Sequence, residues 1–141
     1  MGKIRDLKWK YIKPLEDKKI INYIEEKCNF SIPKQLKEYI MNYNAGIPSI
    51  NIFDSLNNKE NLFGALISYN KSDSFNIDIV LEIFYNNYGN RNLLPFADDG
   101  CGNFICINIK TFEIVYFLHE TEKVEFISEN FDSFIESLYT I

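Results

Sequence analysis

The sequence predicts an α+β domain, a mainly antiparallel central sheet packed by about four helices. Three observations carry this. Residues 93–120, LLPFADDGCGNFICINIKTFEIVYFLHE, hold three apolar runs separated by short polar loops, the pattern of consecutive antiparallel strands. Elsewhere, apolar residues recur at helical spacing in four places, before and after those strands. The chain of 141 residues suits one domain, and at 46% hydrophobic and 16% aromatic residues it fills a core without staples.

Taken in order, residues 1–15 show no single period, with Trp9 and Tyr11 as candidates to pack on the body. Over residues 16–28, Ile20, Ile21, Ile24 and Cys28 form one face of an amphipathic helix. Pro33 then suits a first helical turn, where a missing N–H costs nothing. Leu36, Tyr39, Ile40 and Tyr43 make the second helical face, which is expected to end at Asn44-Ala45-Gly46, with Asn and Gly suited to a left-handed cap. The first two helices are expected to pack as an antiparallel or crossed pair. A short strand is expected over residues 50–53 and another over 61–69, with Gly64 at a bend or bulge. Ile77, Val80, Leu81, Phe84 and Tyr88 mark a third helix, capped by Ser74 or Asn76 and closed near Gly89. Strands follow at 93–97, 104–109, 114–118 and 124–127. The strand at 104–109 is apolar on both faces and so belongs in the middle of the sheet. Asn130 caps a last helix with Phe131, Phe134, Ile135 and Leu138 on its inner face.

Composition excludes several functions. A net charge of −5 disfavours direct nucleic-acid binding, which needs clustered Lys and Arg. The same charge serves either simple solubility or a basic protein partner. No apolar run reaches the ~18 residues of a membrane span. The start MGKIRDLKWK has no apolar segment behind its basic residues, and Asp6 breaks the myristoylation pattern. Three cysteines without CxxC spacing cannot form a complete disulfide framework, and a reducing, cytoplasmic setting is expected.

Catalytic chemistry finds little support. His119 is the only histidine, and HETEK lacks the second histidine of a zinc-protease helix. No nucleophile motif surrounds a Ser or Cys, so His119 is expected to be a strand-end residue, structural or at a binding surface. Cys28, Cys101, Cys106 and His119 reach a zinc set by count but not by spacing; Cys28 and Cys106 are expected to pack as small apolar groups. DDGCGN does not supply the alternating ligands of a calcium loop and reads as a hairpin turn. The alternative reading is that Asp98 and Asp99 project from the sheet rim toward a partner. Reversing both charges should then weaken binding without changing the melting temperature. No phosphate-binding glycine loop is present and no cofactor is expected.

Five segments, in order, resemble the SMI1/KNR4 (SUKH) superfamily. SIPKQLKEYIMNYNAG is similar to that family's apolar-Pro, helix and Asn-Gly-Gly pattern, with Ala45-Gly46 in place of the glycine pair. Residues 62–68 supply the second segment. LLPFADDGCGNFICINIK resembles an apolar-Pro-Phe-Ala-x-Asp stretch followed by Gly-Asn and a hydrophobic strand. IVYFLHE resembles the family's strand ending in His-Glu, and ISENFDSFIESL its closing Phe-x-x-Phe helix. The resemblance implies an α+β fold, and function by binding rather than catalysis. It implies most directly a bacterial immunity protein that neutralises a secreted toxin, often a nuclease; the alternative is a regulatory module acting on cell-wall or signalling proteins. A small-molecule-binding or enzymatic domain is the third reading. Asp98, Asp99, His119 and Glu120 are the candidate protein-binding residues. Pro33, Asn44, Gly46, Pro95, Gly102 and Asn103 are the candidate structural positions. The identity of the partner, the surface used and the oligomeric state stay open.

Overall fold

The computed structural model describes residues 7–141; the reading of the extreme N-terminus, Asp6 included, lies outside them. A two-residue strand, β1 (Trp9–Lys10), is followed by helices α1 (Lys19–Cys28) and α2 (Lys34–Asn42). Four short strands come next: β2 (Ile47–Pro48), β3 (Ile52–Phe53), β4 (Asn61–Leu62) and β5 (Ala65–Leu66). Helix α3 (Ile77–Asn86) leads into β6 (Leu93–Asp98), β7 (Phe104–Asn108), β8 (Ile114–Leu118) and β9 (Lys123–Ser128), and α4 (Phe131–Ser137) closes the chain. The main sheet has the order β5-β6-β7-β8-β9, antiparallel throughout. β7 is its middle strand, and Phe104, Ile105, Cys106 and Ile107 are all buried. A strand apolar on both faces needs cover on both, and it receives it.

The cover is aromatic. On one face Phe84 of α3 meets Phe104 at 5.5 Å and Phe117 at 4.8 Å between ring centroids. On the other, Tyr116 packs edge-on against Phe53, which in turn meets Phe134 of α4. Tyr39 brings α2 onto Phe131 of α4. Helix α1 is tied to α2 by Lys37 and Glu25 (3.0 Å) and to α3 by Lys27 and Asp78 (2.6 Å). Pro95, which cannot donate to a ladder, sits inside the sheet next to a register shift between Pro95 and Ala97, the place where a strand tolerates it.

Local departures from the expected elements have physical causes. Helix α1 begins at Lys19, because the Asp17 carboxylate accepts the Lys19 N–H and ends the helix there. The strand expected over residues 61–69 is two strands on separate sheets, split at Gly64. A side chain at Gly64 would meet the Asp98 carbonyl and carboxylate oxygens at 2.9 Å. After α2 the left-handed residue is Ala45 (φ 63°), neither Asn44 nor Gly46. Gly46 is needed for room instead, since its Cβ would lie 2.8 Å from the Tyr43 carbonyl and 3.1 Å from the Trp9 ring. Trp9 does pack on the body, stacked on Tyr43 at 5.2 Å, whereas Tyr11 is 76% exposed. The two open edges of the main sheet are covered by main-chain hydrogen bonds. Leu66 N–H donates to Gly46 on the β5 side, and Leu56 N–H donates to Phe126 on the β9 side. Among the described residues no helix is long and apolar enough to cross a membrane.

Candidate functional site

The end of β6 and the loop to β7 carry Asp98, Asp99, Gly102 and Asn103 of the residues singled out from sequence, and the structure divides them. Asp99 is 5% exposed and turned inward. Its Oδ2 accepts the Tyr116 hydroxyl (2.6 Å) and the Asn103 side-chain N–H (2.8 Å). Its Oδ1 accepts the backbone N–H groups of Cys101 (2.8 Å) and Asn103 (3.1 Å). Burial pushes the carboxyl up, but the hydrogen bonds from Tyr116, Asn103 and the two backbone N–H groups together outweigh it and hold it below the ordinary carboxylate range. The expectation that both acidic residues project from the rim is therefore corrected for Asp99. Its charge is the internal acceptor of its own turn, and reversing it would remove that acceptor and destabilise the fold.

Asn103 extends the same network to His119. Its Nδ2 donates to Asp99, which leaves its Oδ1 as acceptor for the His119 backbone N–H (2.9 Å) and for the ring nitrogen Nδ1 (2.7 Å). The His119 Nδ1 must then carry the hydrogen. The ring lies flat over Gly102, whose Cβ would be 3.0 Å from it, and Gly102 has φ 93°. Asp99, Gly102, Asn103, Tyr116 and His119 thus form one latch joining the β6–β7 turn to the end of β8. His119 is oriented by an amide and not by a carboxylate. Glu120 is exposed on the following turn, outside the latch.

Asp98 points elsewhere. It is half-buried on the sheet face that α3 covers, paired in register with Phe104. It lines a cleft of about 320 Å³ together with Tyr11, Lys13, Ser68, Asp73 and Phe75. Tyr11 and Phe75 are exposed by 76% and 44%. Phe75 stacks on Phe104 at 6.2 Å. Tyr11 is held in the left-handed region at φ 59°. Lys13 and Asp73 neutralise each other at 3.1 Å, and Asp73 also accepts the Ser68 hydroxyl (2.5 Å), which lowers its proton affinity. Among the described residues Asp98 accepts the Gly100 backbone N–H (3.0 Å) on Oδ1 and no other hydrogen bond. Burial raises its proton affinity, that N–H offsets part of the rise, and the neighbouring Asp99 adds to it.

The other positions act in the scaffold. Asn44 is 1% exposed; its amide donates to the Lys13 carbonyl (2.9 Å) and Ser68 hydroxyl (3.3 Å) and accepts the Tyr69 N–H (2.8 Å). It pins one wall of the Asp98 cleft. Pro33 holds the N-cap position of α2 with φ −55°. Cys106 is fully enclosed in the sheet, Cys28 contacts the Tyr85 hydroxyl at 3.4 Å, and Cys101 is exposed. Among the described residues no three His, Cys, Asp or Glu side chains are grouped to hold a metal.

Sequence reasoning missed the cleft residues Ser68, Asp73 and Phe75, and Tyr11, whose segment is brought to them by the Lys13 bonds to Asn44 and Asp73. It also missed Glu125, a carboxylate in the middle of β9 that is 7% exposed and accepts the Ser55 hydroxyl and the Asn58 amide.

The fold defines an α+β domain with an antiparallel sheet covered on both faces and a polar latch at one sheet end. A family model described as SMI1-KNR4 cell-wall (SUKH_6) matches residues 18–135. The chain belongs to the SMI1/KNR4 (SUKH) family. No curated relative matches it.

Proposed function

We propose that the chain is an immunity protein that binds a cognate secreted toxin domain, such as a nuclease, and neutralises it by covering its active site. Membership of the SMI1/KNR4 family carries this reading, because the domain is a binding fold that serves varied partners. The acidic balance supports it, since a net charge of −5 speeds encounter with a basic, nucleic-acid-binding surface and rejects acidic competitors. Asp98, His119 and Glu120 are the proposed contact residues, with Asp99 supporting them from beneath. The protein acts in the cytoplasm, without a cofactor and without touching nucleic acid itself.

The test is a pull-down of the tagged protein from its own cells, read by quantitative mass spectrometry. Stoichiometric recovery of the variable C-terminal domain of a secreted protein supports the reading. Recovery of resident cell-wall or signalling proteins alone, at stoichiometry, replaces it with the regulatory one.

A further inference from the structure

We propose that the cleft beside Asp98 is a receptor for a single arginine side chain presented by the protein partner. Three features of the cleft converge on that occupant. Its volume of about 320 Å³ holds roughly ten waters at ~30 Å³ each, which admits one long side chain with water left beside it. Two exposed aromatic rings, Tyr11 and Phe75, line it with apolar faces. A guanidinium stacks on such faces more readily than an ammonium does. The third feature is charge. Lys13 and Asp73 cancel each other within the wall, and Asp98 is left as the uncompensated carboxylate. Its Oδ2 has no hydrogen-bond partner among the described residues, while Oδ1 keeps one acceptor position beyond the Gly100 bond. A planar fork of N–H donors satisfies both oxygens together.

The surroundings hold this geometry in place. Gly64 leaves open the space that its own side chain would fill at 2.9 Å from the Asp98 carboxylate. Asn44, by bonding the Lys13 carbonyl and receiving the Lys13 N–H at its own carbonyl (2.9 Å), fixes the segment that carries Tyr11. Tyr11 is kept in a backbone conformation that a non-glycine residue adopts only where its surroundings impose it. An exposed tyrosine held under strain next to an unpaired, half-buried carboxylate is an arrangement that an incoming cation completes.

The inference deepens the immunity reading and rests on it only for the identity of the protein that supplies the arginine. Its test does not need that protein. Amide-resolved NMR spectra of the isotopically labelled full chain are titrated with capped Gly-Arg-Gly, with the matching lysine peptide and with the neutral citrulline peptide. Saturable shifts at Gly64, Phe75, Asp98 and Gly100 are expected with the arginine peptide in the low-millimolar range, several-fold weaker with lysine and absent with citrulline. Asp98→Asn, which keeps the fold, should weaken the arginine response at least tenfold, and Tyr11→Ala should weaken it several-fold. Shifts scattered over the acidic surface, equal for arginine and lysine or unchanged in Asp98→Asn, overturn the assignment. If the arginine peptide does not bind but the pull-down recovers a toxin domain, the immunity reading stands and another surface carries it.

Discussion

Adjacent carboxylates at positions 98 and 99 do opposite things. Asp99 accepts four hydrogen bonds and is stabilised as an anion; Asp98 accepts one and is destabilised by burial. Because the folded protein holds Asp99 below its unfolded proton affinity, its contribution is complete above about pH 4, the unfolded carboxylate value, and is lost as pH falls further. For Asp98 the shift is upward, so the ionised group costs stability at neutral pH and that cost disappears on acidification. Asp99→Asn should therefore lose about 1.5–3 kcal/mol at pH 7, the range for hydrogen bonds to a charged group, and show a shallower decline below pH 4. Asp98→Asn should stay within about 0.5 kcal/mol of the parent or exceed it. Urea melts at pH 7 and at stepped acidic pH measure both. Equal losses for the two variants would contradict the division. The pair was visible in the sequence as DDGCGN, and so was the turn. Which of the two faced inward was not, because that depends on Tyr116 arriving from the next strand.

Elements explain where the reading succeeded and where it failed. The cap of α4 was legible as Asn130 and that of α3 as Ser74 or Asn76, of which the structure uses Asn76; the Asn76 and Asn130 side chains each accept the N–H three residues on, at 3.1 Å and 2.8 Å. Asn130→Ala should cost about 1 kcal/mol, with Asn130→Gly intermediate, by chemical denaturation. A cost near zero would mean that α4 is held by Phe131 and Phe134 alone. The middle position of β7 followed from its two apolar faces. The two-residue strands β1 and β2 did not follow, since an element that short has no period to detect, whereas β3 lies within the strand expected over residues 50–53 and β4 and β5 within the one expected over 61–69. Glu125 was read past for a related reason. Alternation assigns a charged residue to the solvent face, and only the returning loop at Ser55 and Asn58 makes that face an interior. Gly46 and Ala45 show the limit of cap rules: the glycine is required by the closeness of Trp9, and the alanine bears the left-handed turn.

At the scale of the whole molecule, the family was legible because five segments spread along the chain resemble it in order, and the match over residues 18–135 covers the first four and most of the fifth. The cleft was not legible: Tyr11, Asp73 and Asp98 lie far apart in sequence and meet only in the fold. The central claim is that this acidic domain neutralises a toxin by binding it. The most direct measurement is growth of cells expressing the toxin domain recovered with this chain in the pull-down, with and without this chain, alongside calorimetric titration of the two purified proteins. The account predicts rescue of growth and a one-to-one complex whose affinity falls with rising salt. Continued toxicity at full expression, with no heat of binding, would contradict it.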